Sequence, residues 1–265
     1  MIQNRWADKE YLKNVQYRDP ENLNARGKLH DLFNVTSMPW FSWVYTEMAL
    51  KEGFRVLEIG CGPGNLWKNN LEHLPQNTTL ILTDLSIGML KTSQNLLDDS
   101  RFQFVCTDAD SISFPDATFD LVLANHMLYH VADLSGTLQG IRRILKPGGR
   151  LLAATNGFRH MAEVFDLIHK FEPRFEKITY FLGFNLQNGK EILAQHFSTI
   201  QQKKHQCHLK ITESEPLVDY IFSMQRLDEI RHGIDPLALT QFLDNEIAKT
   251  GSLKIQKEQG LFIAS

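Results

Sequence analysis

The chain has 265 residues, 43% of them hydrophobic, with 28 Lys and Arg against 31 Asp and Glu and hence a formal charge of −3. That length suffices for one well-buried α/β core, and the charge balance gives no basic field for a nucleic acid backbone. No apolar run approaches the roughly 18 residues of a membrane span, and the polar start Met1-Ile2-Gln3-Asn4-Arg5 does not read as a signal peptide, so a cytoplasmic protein without a membrane partner is expected.

Residues 1–50 read as a helical cover. Tyr11, Tyr17 and Arg26 are candidates for contact with a substrate, and Ser37-Met38-Pro39-Trp40 marks a helix start whose aromatic run packs on a sheet edge or roofs a ligand. Residues 56–64, Val-Leu-Glu-Ile-Gly-Cys-Gly-Pro-Gly, form an apolar strand ending in Glu58 and a turn in which Gly60, Gly62 and Gly64 lack a Cβ, so a ligand can lie against bare backbone. A helix from Asn65 to about Leu74 is expected next, with free N–H groups that favour an anionic group. The spacing Gly60-x-Gly62-x-Gly64 differs from the G-x-G-x-x-G of dinucleotide sites, and by itself a glycine turn is a weak signal.

A second strand, Thr79–Thr83, ends at Asp84, twenty residues beyond Gly64. A doubly wound fold places there a carboxylate that accepts from both ribose hydroxyls; capping of the helix starting near Ser86 is the alternative role. Phe102–Cys106 reads as a third strand leading to Asp108 and Ala109, and Phe119–Ala124 as a fourth, from whose end Asn125 and His126 emerge at the edge where open α/β folds bind ligands. Lys146-Pro147-Gly148-Gly149 turns a helix into strand five, Arg150–Thr155. Beyond it a helix to about Phe171, a turn at Asn188-Gly189, a helix at 190–197, strand six at about 199–211, two helices within 213–250 and a last strand from Leu253 to Ala264 are expected. Cys61, Cys106 and Cys207 are widely spaced, the first two in expected core elements, so reduced thiols are expected rather than disulfides. His205, Cys207 and His208 are the one cluster with metal-ligand chemistry; 207 and 208 point to opposite faces of a strand, so no metal site is expected.

Three segments together carry a family resemblance: Glu58 to Gly64, the run Asp84-Leu85-Ser86-Ile87-Gly88-Met89-Leu90, and Phe114-Pro115-Asp116-Ala117-Thr118-Phe119-Asp120 followed by Lys146-Pro147-Gly148-Gly149. Over about residues 50–157 the chain resembles the class I S-adenosylmethionine-dependent methyltransferases. The resemblance implies an α/β fold with a doubly wound, mostly parallel seven-stranded sheet, strand order 3-2-1-4-5-7-6, helices on both faces, and helical cap insertions after strand 5 and before strand 7. It implies one methyltransferase domain over 1–265, with 1–50 as cover, 51–157 as cofactor-binding core, and caps at about 158–188 and 213–250. It also implies S-adenosylmethionine as cofactor, leaving as S-adenosylhomocysteine, and a site built from Glu58, Gly60, Cys61, Gly62, Gly64, Asp84, Leu85, Met89, Asp108, Ala109 and Asn125. Met89 is expected against the adenine and Asp108 on its amino group.

Methyl transfer is an in-line displacement, so the protein aligns the nucleophile, excludes water and removes a proton where the acceptor carries one. His126 and His160 are placed to act as that base, histidine titrating near neutrality. His130 reads as a structural hydrogen-bonding group, and Tyr129, Asn156 and Tyr180 as acceptor contacts. The expected function is methyl transfer to an O, N or C nucleophile of a small-molecule acceptor by a monomer or homodimer. An RNA or protein methyltransferase, or a cofactor-binding partner subunit without turnover, are the alternatives. Asn125-His126-Met127-Leu128 lacks the Pro-Pro-aromatic run of enzymes acting on base amines, so nucleic acid is disfavoured.

Overall fold

The computed structural model describes residues 7–18, 20–174, 183–224 and 233–265. The chain opens with α1 (Lys9–Tyr11), running on as a π-helical turn over Leu12–Gln16, then α2 (Glu21–Phe33), β1 (Asn34–Val35) and α3 (Trp40–Met48). The alternating core follows as β2 (Arg55–Ile59), α4 (Asn65–Lys68), β3 (Thr79–Asp84), α5 (Ile87–Leu96), β4 (Phe102–Cys106), β5 (Phe119–Asn125), α6 (Leu134–Ile144) and β6 (Leu145–Asn156). The remainder is α7 (Ala162–Phe171), α8 (Gly189–Leu193), β7 (Ile200–Ile211), α9 (Glu215–Ser223), α10 (Pro236–Thr250) and β8 (Leu253–Ala264).

The described strands form one sheet in the order β1-β7-β8-β6-β5-β2-β3-β4. It has eight strands, not the expected seven: Asn34 and Val35 pair antiparallel with Leu209 and His208 and add an outer strand beyond β7. Two residues between a helix and a proline-led turn carry no period-2 pattern, so sequence periodicity does not announce them. β2 to β6 are parallel, whereas β8 runs antiparallel to both β6 and β7.

Register aligns the strand ends. Ile59 lies opposite Thr83 and Ala124, and Asn125 opposite Ala154, so Gly60, Asp84, His126 and Asn156 leave the sheet along one carboxyl edge. β6 pairs with β8 only as far as Asn156 opposite Gln259, while β7 and β8 continue pairing to Ile211 opposite Leu253. The two strands therefore project past the carboxyl edge as a ribbon.

Three apolar clusters divide the molecule. One face of the sheet packs Leu138, Ile141 and Ile144 of α6 with Leu193 of α8 against Leu57, Val122 and Ala153. The opposite face packs Val44 and Met48 of α3, Leu66 and Trp67 of α4 and Leu90 of α5 against Val56, Leu80 and Leu123. The third lies on the ribbon, where Leu29 of α2, Val164 and Ile168 of α7, Leu217 of α9 and Leu239 and Leu243 of α10 enclose Leu209, Ile211 and Ile255. Each such fully buried side chain contributes roughly 1.5–3 kcal/mol, which holds the N-terminal α2 onto the C-terminal cap segments.

Two local expectations are corrected. α4 stops at Lys68 rather than running to Leu74, because Asn69 and Asn70 donate side-chain amides back to the Asn65 and Leu66 carbonyls at 2.7 Å and offer the backbone an alternative to helix. Cys106 is exposed, not core, since β4 is the sheet edge and only Phe102 of that strand is buried; all three thiols are free. No helix among the described residues is long and apolar enough to cross a membrane.

Candidate active site

The turn after β2 is shaped by its missing side chains. Gly60 has φ +69°, and a Cβ there would stand 2.9 Å from Cβ of Met127. Gly64 has φ +84°, and a Cβ would stand 2.5 Å from Oγ of Ser93 in α5. L-residues avoid this region of φ, and both neighbours are packed, so any side chain would push the turn out of place. The backbone N–H of Gly62 donates to Oδ2 of Asp84 at 2.9 Å, and that of Ser86 to Oδ1 at 2.8 Å. Asp84 thus does not cap α5; Ser86 does, its hydroxyl accepting from the Met89 N–H at 3.3 Å.

Asp84 lies at the rim of a cleft whose floor is Ile59 and Gly60 and whose walls include Leu85, Asp108, Ala109, Met127 and Val131. Counting the space open to solvent at its mouth, the cleft encloses ≈ 610 Å³. Its walls are largely apolar with a few carboxylates, a composition that suits a nucleoside. Burial pushes the Asp84 carboxyl upward while the two backbone donors pull it down. Each ionised oxygen still has a lone pair beyond the one it gives the backbone, so both ribose hydroxyls can be received.

The N-terminal segment forms the other wall through Lys9, Leu12, Lys13 and Tyr17. Lys9 Nζ bridges Asp108 and Asp110 at 2.6 Å each, and Thr137 donates to Asp110 at 3.1 Å. The lysine holds the Asp110 carboxyl low against the opposing effect of burial. Tyr17 Oη lies 3.0 Å from His130 Nε2, their rings edge to face at 5.5 Å, and Arg26 sits 5.8 Å from the centre of the Tyr17 ring. Lys9, Lys13 and His130 are cleft residues that sequence reasoning missed. His130 was readable only as a hydrogen-bonding group because its partner is 113 positions away.

Of the expected residues, Gly60, Asp84, Leu85, Asp108, Ala109 and Tyr17 meet in this cleft. Others support it from behind. Glu58 does not reach the cleft: it is 2% exposed, beneath the turn, accepting from the Trp67 indole N–H at 2.5 Å, and burial pushes its pKa up to about 8. Cys61 is buried with its thiol pushed well upward, and its N–H donates to the Thr83 carbonyl at 2.9 Å. Gly62 acts through its amide and Gly64 through packing. Met89, in the first turn of α5, is buried and does not line the cleft. Tyr11 is off the walls too, and Tyr129 packs on the α6-side core with its ring 4.6 Å from that of His130. Tyr180 lies outside the described residues.

His126, His160, Asn125 and Asn156 come together elsewhere, beside the carboxyl edge. His126 has φ +57° and its ring lies 5.0 Å from that of Trp40. His160 Nδ1 meets the Glu258 carbonyl at 3.2 Å. Burial first, then Lys257, lower the His126 pKa to about 4 and the His160 pKa to about 3. Both imidazoles are neutral at pH 7, but such weak bases are poorly matched to proton removal there, and neither lines the donor cleft. Among the described residues no group of three or more His, Cys, Asp or Glu could hold a metal ion.

A parallel sheet carries a glycine turn after its first core strand and a carboxylate at the end of its second, and both open into one cleft. Residues 57–153 match the family described as "Methyltransferase domain". It is 33% identical over 117 residues to the ubiquinone/menaquinone biosynthesis C-methyltransferase UbiE of Teredinibacter turnerae, a match covering 43% of this chain and 47% of that one. The UbiE of Vibrio vulnificus is 34% identical, covering 43% and 45%. The chain thus spans about half the length of these curated relatives. Among solved structures, Haemonchus contortus phosphoethanolamine N-methyltransferase 2 with S-adenosylhomocysteine aligns at TM-score 0.58 and 19% identity, covering 98% of this chain and 60% of that one. The [4+2]-cyclase SpnF aligns at 0.59 and 15%, covering 97% and 95%. At such identities the likeness is one of fold, and the differing names of these two show that the fold alone does not specify the reaction.

Proposed function

We propose that the chain transfers a methyl group from S-adenosylmethionine to an O, N or C nucleophile of a small-molecule acceptor. The observation that carries this reading is the single cleft that gathers the Gly60 turn, Asp84 and Asp108 with Ala109. The cofactor supplies a sulfonium-activated methyl group and leaves as S-adenosylhomocysteine. Asp84 receives the ribose hydroxyls, and Ile59, Leu85, Met127 and Val131 pack the adenosyl group and exclude water. Asp108 accepts from the adenine amine while Lys9 ties the N-terminal wall across it.

His126 and His160 are replaced in this reading by Tyr17 and His130. The phenol and imidazole share a hydrogen bond inside the cleft, so His130 takes the proton that Tyr17 or an acceptor hydroxyl or ammonium gives up. The relatives named as C-methyltransferases support a small-molecule acceptor. The test is incubation with methyl-labelled S-adenosylmethionine and a metabolite extract, followed by mass spectrometry. Label in a small molecule is expected; label confined to RNA or protein, or calorimetric cofactor binding with no labelled product, overturns this reading.

A further inference from the structure

The ribbon of β7 and β8 has two unlike faces. His205, Leu209 and Ile211 of β7 and Ile255, Lys257 and Gln259 of β8 are buried, and the cluster built by α2, α7, α9 and α10 covers Leu209, Ile211 and Ile255. One position out of phase, Lys204, Gln206 and Lys210 of β7 and Lys254 and Gln256 of β8 are exposed. Successive side chains of a strand point to opposite faces, so the exposed set of both strands shares one side of the ribbon.

A groove of ≈ 570 Å³ runs along this ribbon, within the roughly 300–1,000 Å³ of small-molecule sites. Its side chains from the solvent face are Lys204, Gln206 and His208 of β7, Gln256 and Glu258 of β8, and Arg159 from the loop before α7. Gln206 stands opposite Glu258 and His208 opposite Gln256; at the next pair on the same face Lys210 stands directly opposite Lys254. In a chain of net charge −3, Arg159, Lys204, Lys210 and Lys254 have no ion-pair partner among the described residues. The carboxylates beside them are engaged by neutral donors. Glu258 accepts from the Arg159 backbone N–H and the Gln187 amide, both at 2.8 Å, and Glu163 from the Gln256 backbone N–H at 3.1 Å.

Lysine on an open strand is an ordinary device against sheet-to-sheet association, and β7 is covered by β1 over two residues only. That device explains a lysine on either strand. It explains neither the direct opposition of Lys210 and Lys254, which like charge makes unfavourable, nor Arg159, which lies outside the strands in the same groove. An anion between them removes the repulsion. The one large apolar side chain that the groove offers is Val35, so a protein or lipid surface finds no anchor there, whereas Gln206, Gln256 and His208 supply hydrogen-bond donors.

We propose that this groove binds a small polyanion, a molecule with two or more phosphate or carboxylate groups. Arg159 and Lys204 hold it within the groove, the Lys210–Lys254 pair holds it at one end, and Gln206, His208 and Gln256 donate to its remaining oxygens. The groove and the donor cleft have no lining residue in common, so this site is separate from the cofactor's and does not depend on the methyl-transfer reading.

The test is calorimetric titration of the full chain with pyrophosphate, citrate and uncharged glycerol, at two salt concentrations. One polyanion per chain is expected, weaker at the higher salt, with glycerol silent; which polyanion binds more tightly separates phosphate from carboxylate. Arg159→Gln, Lys204→Gln and the double variant Lys210→Gln/Lys254→Gln should each weaken it about fivefold, the upper end for an exposed ion pair. All four side chains are exposed, so the variants should fold and keep S-adenosylhomocysteine affinity within about twofold. Lys28→Gln, which removes an exposed lysine paired with Asp219 on α9, is the control for net charge and should leave the polyanion unaffected. Failure of both polyanions to bind, equal binding of glycerol, or an equal loss in Lys28→Gln overturns the proposal. So does binding of single-stranded RNA through these residues where both small polyanions fail, which would make the face a nucleic acid interface.

Discussion

The donor cleft and the interior beside the ribbon are both polar regions inside apolar packing, yet they are built oppositely. At and beneath the cleft the buried carboxyls are shifted upward: Glu58, under the glycine turn, to about 8, and Asp84 by burial as well. Beside the ribbon the buried bases are shifted downward: His126 falls to about 4, His160 to about 3, and His30 and Lys257 are pushed down too. The shared cause is loss of water around a charge, which favours the neutral form of acid and base alike. Carboxylates with spare lone pairs suit a ligand that brings hydroxyl donors, whereas burial holds the imidazoles of His126 and His160 in their neutral form at pH 7. The cleft is built on strand ends and the N-terminal segment, whereas the buried bases come from α2, the carboxyl edge of the sheet and β8.

Four variants would break or sharpen this contrast. The largest effect is expected from Asp84→Ala, which removes a charged acceptor of two hydroxyls and should cost about 3–5 kcal/mol, at least 100-fold, in S-adenosylmethionine affinity by calorimetry. Unchanged affinity would remove Asp84 from the ribose role and with it the idea that the cleft is defined by its acids.

Next come the opposite pH limbs of stability. Glu58 binds its proton more tightly in the folded chain than unfolded, so between its ordinary 4.5 and about 8 the folded state carries more protons and stability falls as pH rises. His160 behaves inversely: unfolded it protonates near its ordinary 6.5, folded only near 3, so stability falls as pH drops through that range. Glu58→Gln keeps an acceptor for Trp67 and should flatten the alkaline limb, and His160→Gln keeps a donor for the Glu258 carbonyl and should flatten the acid limb. Each change should amount to roughly 2–4 kcal/mol across its window in urea titrations at fixed pH. A single variant that alters both limbs would mean that the two sites titrate as one.

The smallest effect is expected from Tyr17→Phe, which removes one hydrogen bond to His130 and should lower turnover about tenfold with cofactor affinity within twofold. Equal losses in both would make Tyr17 a wall of the cofactor cleft and not part of proton handling.

Much of the cleft was legible in the linear chain. Gly60, Gly64 and Asp84 act through turn dihedrals and strand ends, which are properties of a few consecutive residues. Glu58 belongs to the same motif, yet whether it faced a ligand or Trp67 depended on which way strand β2 turns its even positions. His130 shows the limit more sharply. Its neighbours Met127, Leu128 and Tyr129 mark a short helical turn, but its role comes from Tyr17 across the cleft. The buried bases were less legible still: His126 and His160 were noticed as histidines, while Lys257 sat unremarked in a strand and Asn34 in a two-residue strand with no periodic signal.

The sequence by itself determined the alternating core, its strand ends and the glycine turn, because these follow from local periodicity and from which residues tolerate positive φ. Only the tertiary structure decided that β7 and β8 run past the sheet, that α2 folds back onto them, and that nitrogens from residues 26, 30, 126, 160 and 257 share one interior. Those meetings arise from long-range packing and from desolvation, which depend on what surrounds a residue in space and leave no pattern along the chain.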